Sequence, residues 1–287
     1  MDVSIVGAGR VGTAFAVRLR DAGHRILAVA GREATTARAA RYLPGVPVLD
    51  VSDTVRGAEA VLIGVPDERI AGTCVALARA HAVAEGQAVA HLSGATSLDV
   101  LAPARTAGAI VLAIHPLQTF PDVDSALVRL PGSGIAVTAL SESGHALGER
   151  LAADAGGRPF RLADEAKPLY HAAAVFASNY LVATQALAGE LFEAAGLSEP
   201  AALFAPLARA TLDNVAAMGP AAALTGPAVR GDSGTVAANL KALSRHAPAA
   251  VPAYVALARV ALDLGERSKR LSAEGRAAVE EVLDRWT

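Results

Sequence analysis

Gly7, Gly9 and Gly12, in Val3-Ser4-Ile5-Val6-Gly7-Ala8-Gly9-Arg10-Val11-Gly12, have the spacing to hold a phosphate-bearing ligand with main chain alone. Gly7 permits a sharp turn at the end of an apolar strand, and Gly9 keeps a side chain away from a pyrophosphate. Gly12 lets the following helix pack close to the sheet. That helix presents unpaired N–H groups and a partial positive charge at its start. The pattern is weak alone and gains force from a strand before it and a helical run, 13–21, after it. We therefore expect dinucleotide binding by Gly7, Ala8, Gly9, Arg10, Val11 and Gly12. In this arrangement the end of the second strand faces the adenosine ribose, where an acid suits NAD and an arginine suits the 2′-phosphate of NADP. Here the second apolar run ends Ala28-Val29-Ala30-Gly31-Arg32, and Glu33 comes one step late. Arg32 predicts NADP, and NADPH as the reduced form.

Ligands of such sheets lie beyond the carboxyl ends of the strands. Val65 and Pro66 at the end of one run should line the nicotinamide side. Ser93 and Gly94 end the next, offering a hydroxyl and open backbone. His115 and Gln118 fall in His115-Pro116-Leu117-Gln118-Thr119-Phe120 and are expected to face substrate, while His91 reads as a core histidine. Lysine is scarce: Lys167, Lys241 and Lys269 stand among 26 basic residues, the rest arginine. Lys167 opens a helical run, Lys167-Pro168-Leu169-Tyr170-His171, and proline is tolerated in a first helical turn. At about 100° per residue, His171 lies about 40° and Ser178 about 20° around that helix from Lys167; Asn179 lies roughly 120° away. We expect this polar line to face a cleft. A lysine there can stabilise charge building on a reduced carbonyl oxygen and give up a proton, which arginine cannot. Farther on, Leu224 to Val236 is rich in small residues. Asp232 or Ser233 serves there as a helix cap, Arg230 as a carboxylate clamp and Thr235 as a neighbour in the same loop.

The elements that must position these groups change character along the 287 residues. Short apolar strands at 3–6, 25–30, 47–49, 60–65, 88–92, 109–114 and 134–138 alternate with helical runs, which reads as a largely parallel, doubly wound α/β sheet. A last extended piece, 158–162, follows. From Glu165 on, 165–195, 199–218, 233–246, 250–267 and 272–286 all read as helix, with stops at Gly196, Gly219-Pro220 and Pro248. We place a Rossmann-like nucleotide-binding domain at 1–164 and a helical substrate and dimerisation domain at 165–287. Net charge is −2 with no basic tract, which argues against nucleic acid or anionic lipid as partner. The single cysteine, Cys74, excludes an internal disulfide or a cysteine-built metal cluster, suits a reducing cytoplasm, and sits in an apolar helical pattern as core filler. The uncharged stretch 172–189 carries Ser178, Asn179, Thr184 and Gln185, so it reads as a helix buried against protein rather than lipid.

With these motifs assembled, the chain resembles a bacterial family of Rossmann-like proteins with a helical C-terminal domain of unassigned function. That family is distantly related to pyrroline-5-carboxylate reductase, ketopantoate reductase and the β-hydroxyacid dehydrogenases. The Gly7–Gly12 loop, Leu92-Ser93-Gly94, His115 to Phe120, Tyr170-His171-Ala172-Ala173-Ala174 and the Gly226–Thr235 loop carry the resemblance. It implies that Lys167 matches a lysine the relatives use in catalysis, with His171 standing where they usually have asparagine. It also implies that Gly231 to Thr235 is analogous to a substrate-carboxylate loop, and that two copies pair through the helical domain. The expectation is an NADPH-dependent reductase of a small, ketopantoate-like 2-oxo acid. Lys167 and His171 would be catalytic, with Ser93, Gly94, His115, Gln118, Ser178, Asn179, Arg230 and Thr235 around the substrate. An imine reductase of the pyrroline-carboxylate kind, or an NADP-binding regulator without turnover, are the alternatives.

Overall fold

The computed structural model describes residues 1–286. Seven strands form one sheet: β1 (Asp2–Val6), β2 (Arg25–Ala30), β3 (Ala60–Ile63), β4 (Ala88–His91), β5 (Ile110–Pro116), β6 (Gly134–Ala139) and β7 (Arg158–Arg161). Their spatial order is β2-β1-β3-β4-β5-β6-β7, parallel except where β5 meets β6 antiparallel. The helices interleaved with them are α1 (Arg10–Asp21), α2 (Ala34–Tyr42), α3 (Val51–Val55), α4 (Asp67–Arg79), α5 (Ala102–Thr106), α6 (Val123–Arg129) and α7 (Glu142–Asp154). After the sheet come α8 (Lys167–Ala177), α9 (Asn179–Ala194), α10 (Pro200–Met218) and α11 (Pro220–Ala223). The chain closes with α12 (Ser233–His246), α13 (Val251–Arg267) and α14 (Ala273–Asp284).

The apolar runs become strands because both faces of the sheet are covered, so alternate residues enter two different cores. Val3, Ile5, Leu62, Leu112 and Ile135 pack with Phe15 and Leu19 of α1 and Leu151 of α7. Val6, Val61, Ile63 and Val89 pack on the other side with Ile70, Cys74 and Leu77 of α4. Cys74 is thus core filler, as its helical spacing predicts. The run at 47–49 forms no strand: Val48 makes an isolated parallel bridge to Val29. Pro47 has no N–H to give, so the contact reduces to Val29 N–H on the Pro47 carbonyl and Leu49 N–H on the Val29 carbonyl. The run expected at 109–114 continues to Pro116, which puts His115 inside β5 rather than in the loop after it.

By internal contacts the chain divides into two units, Met1–Asn179 and Tyr180 onward. Helix α8 counts with the sheet by this measure, whereas composition drew the boundary near Asp164. The helix expected to run unbroken from 165 to 195 is interrupted at Ser178, whose φ of −128° and ψ of −67° leave the helical range. Ser178 therefore ends α8 and Asn179 begins α9. In the second unit the core lies among α12, α13 and α14, where Val236, Leu240, Val255, Leu262, Val279 and Leu283 are buried. Helices α9 and α10 bury no residue among those described, although Phe192 and Phe204 stack at 5.8 Å between them. Among the described residues, one helical stretch, Pro248–Arg267, is long and apolar enough by length and composition to cross a membrane. Its Val251, Val255, Ala258 and Leu262 are buried in the core of this unit.

Candidate functional site

The glycine loop adopts the geometry its spacing predicts. Gly7 has φ +92°, and a Cβ there would lie 2.6 Å from the Gly64 carbonyl carbon and the Val65 nitrogen. A Cβ on Gly12 would meet the Gly7 carbonyl oxygen at 2.5 Å, so α1 and the loop approach as closely as backbone allows. At Gly9 a Cβ would meet only the Gly7 oxygen, at 4.0 Å, leaving the space in front of α1 open. Among the described residues no side chain caps α1, so its first N–H groups remain available to an anion.

A groove runs from this loop past Arg32 to Val65 and Pro66, and Arg38 and Arg69 line it too. Its lining brings three guanidinium groups together and, among the described residues, no carboxylate. Arg38 Nη1 donates to the Ala8 carbonyl at 2.7 Å, tying α2 to the glycine loop. Backbone donors, an uncapped helix start and unopposed arginines are the chemistry a dinucleotide with an added phosphate requires. Arg38 and Arg69 escaped the sequence reading. Arg38 stands six residues after Arg32, on α2, which begins beyond Arg32.

A second group of residues gathers farther along the same rim. Val6, Ile63, His91 and Ala113 share a register line, and two residues on stand Val65, Ser93 and His115. Ser93 is buried and its hydroxyl is fully occupied. It donates to Asp67 Oδ2 at 2.6 Å, accepts the N–H groups of Ala95 and Thr96, and lies 2.9 Å from the Thr96 hydroxyl. Expected to meet substrate, it instead shapes the turn that follows β4. Gly94 underlies His115, since a Cβ there would fall 2.6 Å from the imidazole.

Lys167 departs furthest from expectation. It is 1% exposed, its ammonium donating to the Thr96 carbonyl at 2.6 Å and facing Asp164 Oδ1 at 3.3 Å. Burial pushes its pKa below the ordinary lysine value, against the pull of the Asp164 charge. Burial alone would raise the Asp164 carboxyl. Hydrogen bonds from the Ser97 hydroxyl and the Leu98 N–H, with the lysine charge, overcome that and hold it below the usual range. The expected polar line on one helix face is therefore not continuous: Lys167 is enclosed, His171 and Asn179 are exposed, and Ser178 sits at the helix end. The sequence reading missed Asp164, three residues before Lys167, although that spacing is an ion-pair signal near a helix start.

His91 is fully buried and accepts the Ser93 N–H on Nδ1 at 3.2 Å, while among the described residues Nε2 finds no partner. Burial, with the Lys167 charge, pulls its pKa down to about 3. His115 Nδ1 and the Tyr170 hydroxyl lie 2.9 Å apart, with the rings edge to face at 5.6 Å. Burial, assisted by the nearby His171, lowers His115 to about 4, and burial raises the Tyr170 phenol to about 12. Gln118 is exposed, its side-chain oxygen accepting the Thr119 N–H. In the second unit, Asp232 caps α12 by accepting from Thr235 N–H and hydroxyl, and Arg230 is exposed.

Comparison with known proteins agrees with this architecture. Residues 1–116 match the model of a Rossmann-like domain, and residues 133–261 match a domain of unknown function (DUF2520). A protein of Thermotoga maritima is similar in structure with a TM-score of 0.74 at 25% identity, over 93% of this chain and 99% of its own. A candidate NADP oxidoreductase from Bacteroides fragilis gives 0.76 at 24% identity, over 91% and 98%. An imine reductase from Myxococcus stipitatus, solved with NADP+, gives 0.64 at 15% identity, over 100% and 99%. The chain is thus similar to a Rossmann-like domain over its first part and to a DUF2520 domain over a later part, and these structures share its fold.

Proposed function

We propose that this protein is an NADPH-dependent reductase of a small carbonyl compound bearing a carboxylate, a ketopantoate-like 2-oxo acid. One observation carries the reading: the glycine cradle opens into a groove bearing Arg32, Arg38 and Arg69 with no acid among its described lining residues. Gly7, Ala8, Gly9, Arg10, Val11 and Gly12 would hold the diphosphate, Arg32 the 2′-phosphate, and Val65 and Pro66 the nicotinamide. Bound there, the reduced nicotinamide supplies a hydride. The chain's own part is to orient the carbonyl, exclude water and manage a proton. Lys167, with its ammonium engaged by Thr96 and Asp164, acts in this reading as the pin that fixes the turn after β4 to the start of α8. Its charge still biases the rim toward substrates that become negative on reduction.

The neighbouring imine reductase favours a second reading, reduction of a cyclic imine by the same groove. Calorimetry with NADPH and NADH, followed by NADPH oxidation over a panel of 2-oxo acids and cyclic imines, tests both. Tighter binding of NADH would reject the NADP assignment. Tight NADPH binding with no turnover on any substrate would favour a regulator. Arg230→Ala tests the carboxylate assignment, with KM for 2-oxo acids expected to rise about tenfold, as for a lost charged hydrogen bond. We also read the apolar faces of α9 and α10, where Val182, Leu203, Leu207 and Met218 are each more than half exposed, as the seat of a second copy. Sedimentation should give a dimer. A reducing cytoplasm is the setting that suits the lone Cys74.

A further inference from the structure

We propose that the Tyr170 phenol delivers the proton in the reduction, with His115 as the residue that positions it. The inference rests on the reductase reading above and names the acid within it.

Three features of the rim point there. First, the ammonium otherwise suited to the task is enclosed: Lys167 is 1% exposed and already holds the Thr96 carbonyl and Asp164. Second, Ser93, a hydroxyl on the same rim, has its one hydrogen committed to Asp67. Third, Tyr170 reaches the rim at His115, whose ring lies over the bare backbone of Gly94. By strand register that is the level of Val65, one of the residues lining the groove. Tyr170 is half-buried, and its ring rests against Phe160 at 6.1 Å.

Near neutral pH the pair is a phenol beside an uncharged imidazole. In the tautomer with hydrogen on Nδ1, His115 donates to the phenol oxygen at 2.9 Å, leaving the phenol hydrogen to point at a ligand. Hydride from NADPH then forms a bond to the carbonyl carbon as the C=O π pair moves to oxygen. That oxygen takes the phenol hydrogen, the O–H pair stays on Tyr170, and the Nδ1–H bond steadies the phenolate until solvent returns a proton. For an imine the same proton goes to nitrogen. The charged and titratable groups around the pair are His171 on α8, Asp67 on α4, His91 on β4 and Lys167 with its partner Asp164.

The test begins with wild-type turnover of NADPH on the substrate panel. If none occurs, the reductase reading itself fails. Given turnover, Tyr170→Phe should lose about 100-fold or more in kcat, the usual scale of a lost general acid. NADPH affinity and Tm should stay at wild-type values. Retention of wild-type kcat would overturn the assignment while leaving the reductase intact. Replacing Tyr170 by a difluorotyrosine keeps the hydroxyl and makes it more acidic. The alkaline limb of kcat should then move to lower pH by as much as the phenol does, and an unmoved limb would overturn the proposal. His115→Asn, which can donate from the place of Nδ1, should keep more kcat than His115→Ala with KM alike in the two. Equal losses would remove His115 from its positioning role.

Discussion

The glycine groove and the polar cluster stand on the same rim of one sheet, yet they are built in opposite ways. The groove is made of absent side chains: Gly7 and Gly12 let main chain approach main chain, Gly9 leaves the space before α1 open, and the arginines stand around the opening. The cluster is made of side chains whose polar atoms are nearly all engaged with each other, from Asp67 through Ser93 and Thr96 to Lys167 and Asp164. Backbone sites tolerate almost no change at the glycines but ask little of distant residues. A side-chain network fails piece by piece, and each loss strands a partner in a poorly solvated place.

That contrast can be broken first at Gly7. A Gly7→Val substitution forces a side chain into the Gly64–Val65 backbone at positive φ, and NADPH affinity by calorimetry should fall at least about 100-fold, or ~3 kcal/mol. Retained affinity would mean that the loop does not form the cradle. The next effect is pH dependence. The folded His91 titrates at about 3 against an ordinary 6.5, so between those values the unfolded chain takes up a proton that the folded chain does not. Stability should therefore drop as pH falls from about 6.5 toward 3, by roughly 3 kcal/mol at pH 4 from this residue. Urea midpoints across that window should be flatter in His91→Gln, and identical slopes would discard the argument.

A smaller effect is expected at Lys167. Lys167→Met leaves the Thr96 carbonyl and Asp164 without their cation, at a cost of about 2–3 kcal/mol in urea unfolding. That is below the ~3–5 kcal/mol of a fully buried pair, because Asp164 keeps 24% of its side chain exposed. A neutral outcome would make the network ornamental. The mildest change is Arg38→Leu, which keeps the helix and removes one guanidinium of the groove. NADPH binding should weaken about tenfold, with NADH binding little altered, and equal losses for both nucleotides would remove Arg38 from phosphate recognition.

The groove was legible in the sequence because the positive φ of Gly7 and the close backbone contact of Gly12 call for glycine, so residue type and spacing encode the shape directly. The succession of strands and helices was legible for a similar reason: buried parallel strands read as short apolar runs. The cluster was not, because its partners come from β4, β5, α4 and α8, and no spacing within one segment records that meeting. Lys167 was singled out by its rarity, yet rarity does not say whether a lysine points into a cleft or into a carbonyl. The break at Ser178 was also hidden, since Phe176 to Leu181 contains neither glycine nor proline to announce it.

The outermost strand at the β7 side has a consequence for behaviour at high concentration. All four of its residues are exposed, and they read Arg-Pro-Phe-Arg. Pro159 offers no N–H, Arg158 bends back to the Gly132 carbonyl, and Arg161 is clamped between Glu142 and Glu149. An intruding strand from another molecule meets charged side chains already engaged elsewhere and an interrupted row of donors, so that margin of the sheet is a poor seed for fibrous assembly.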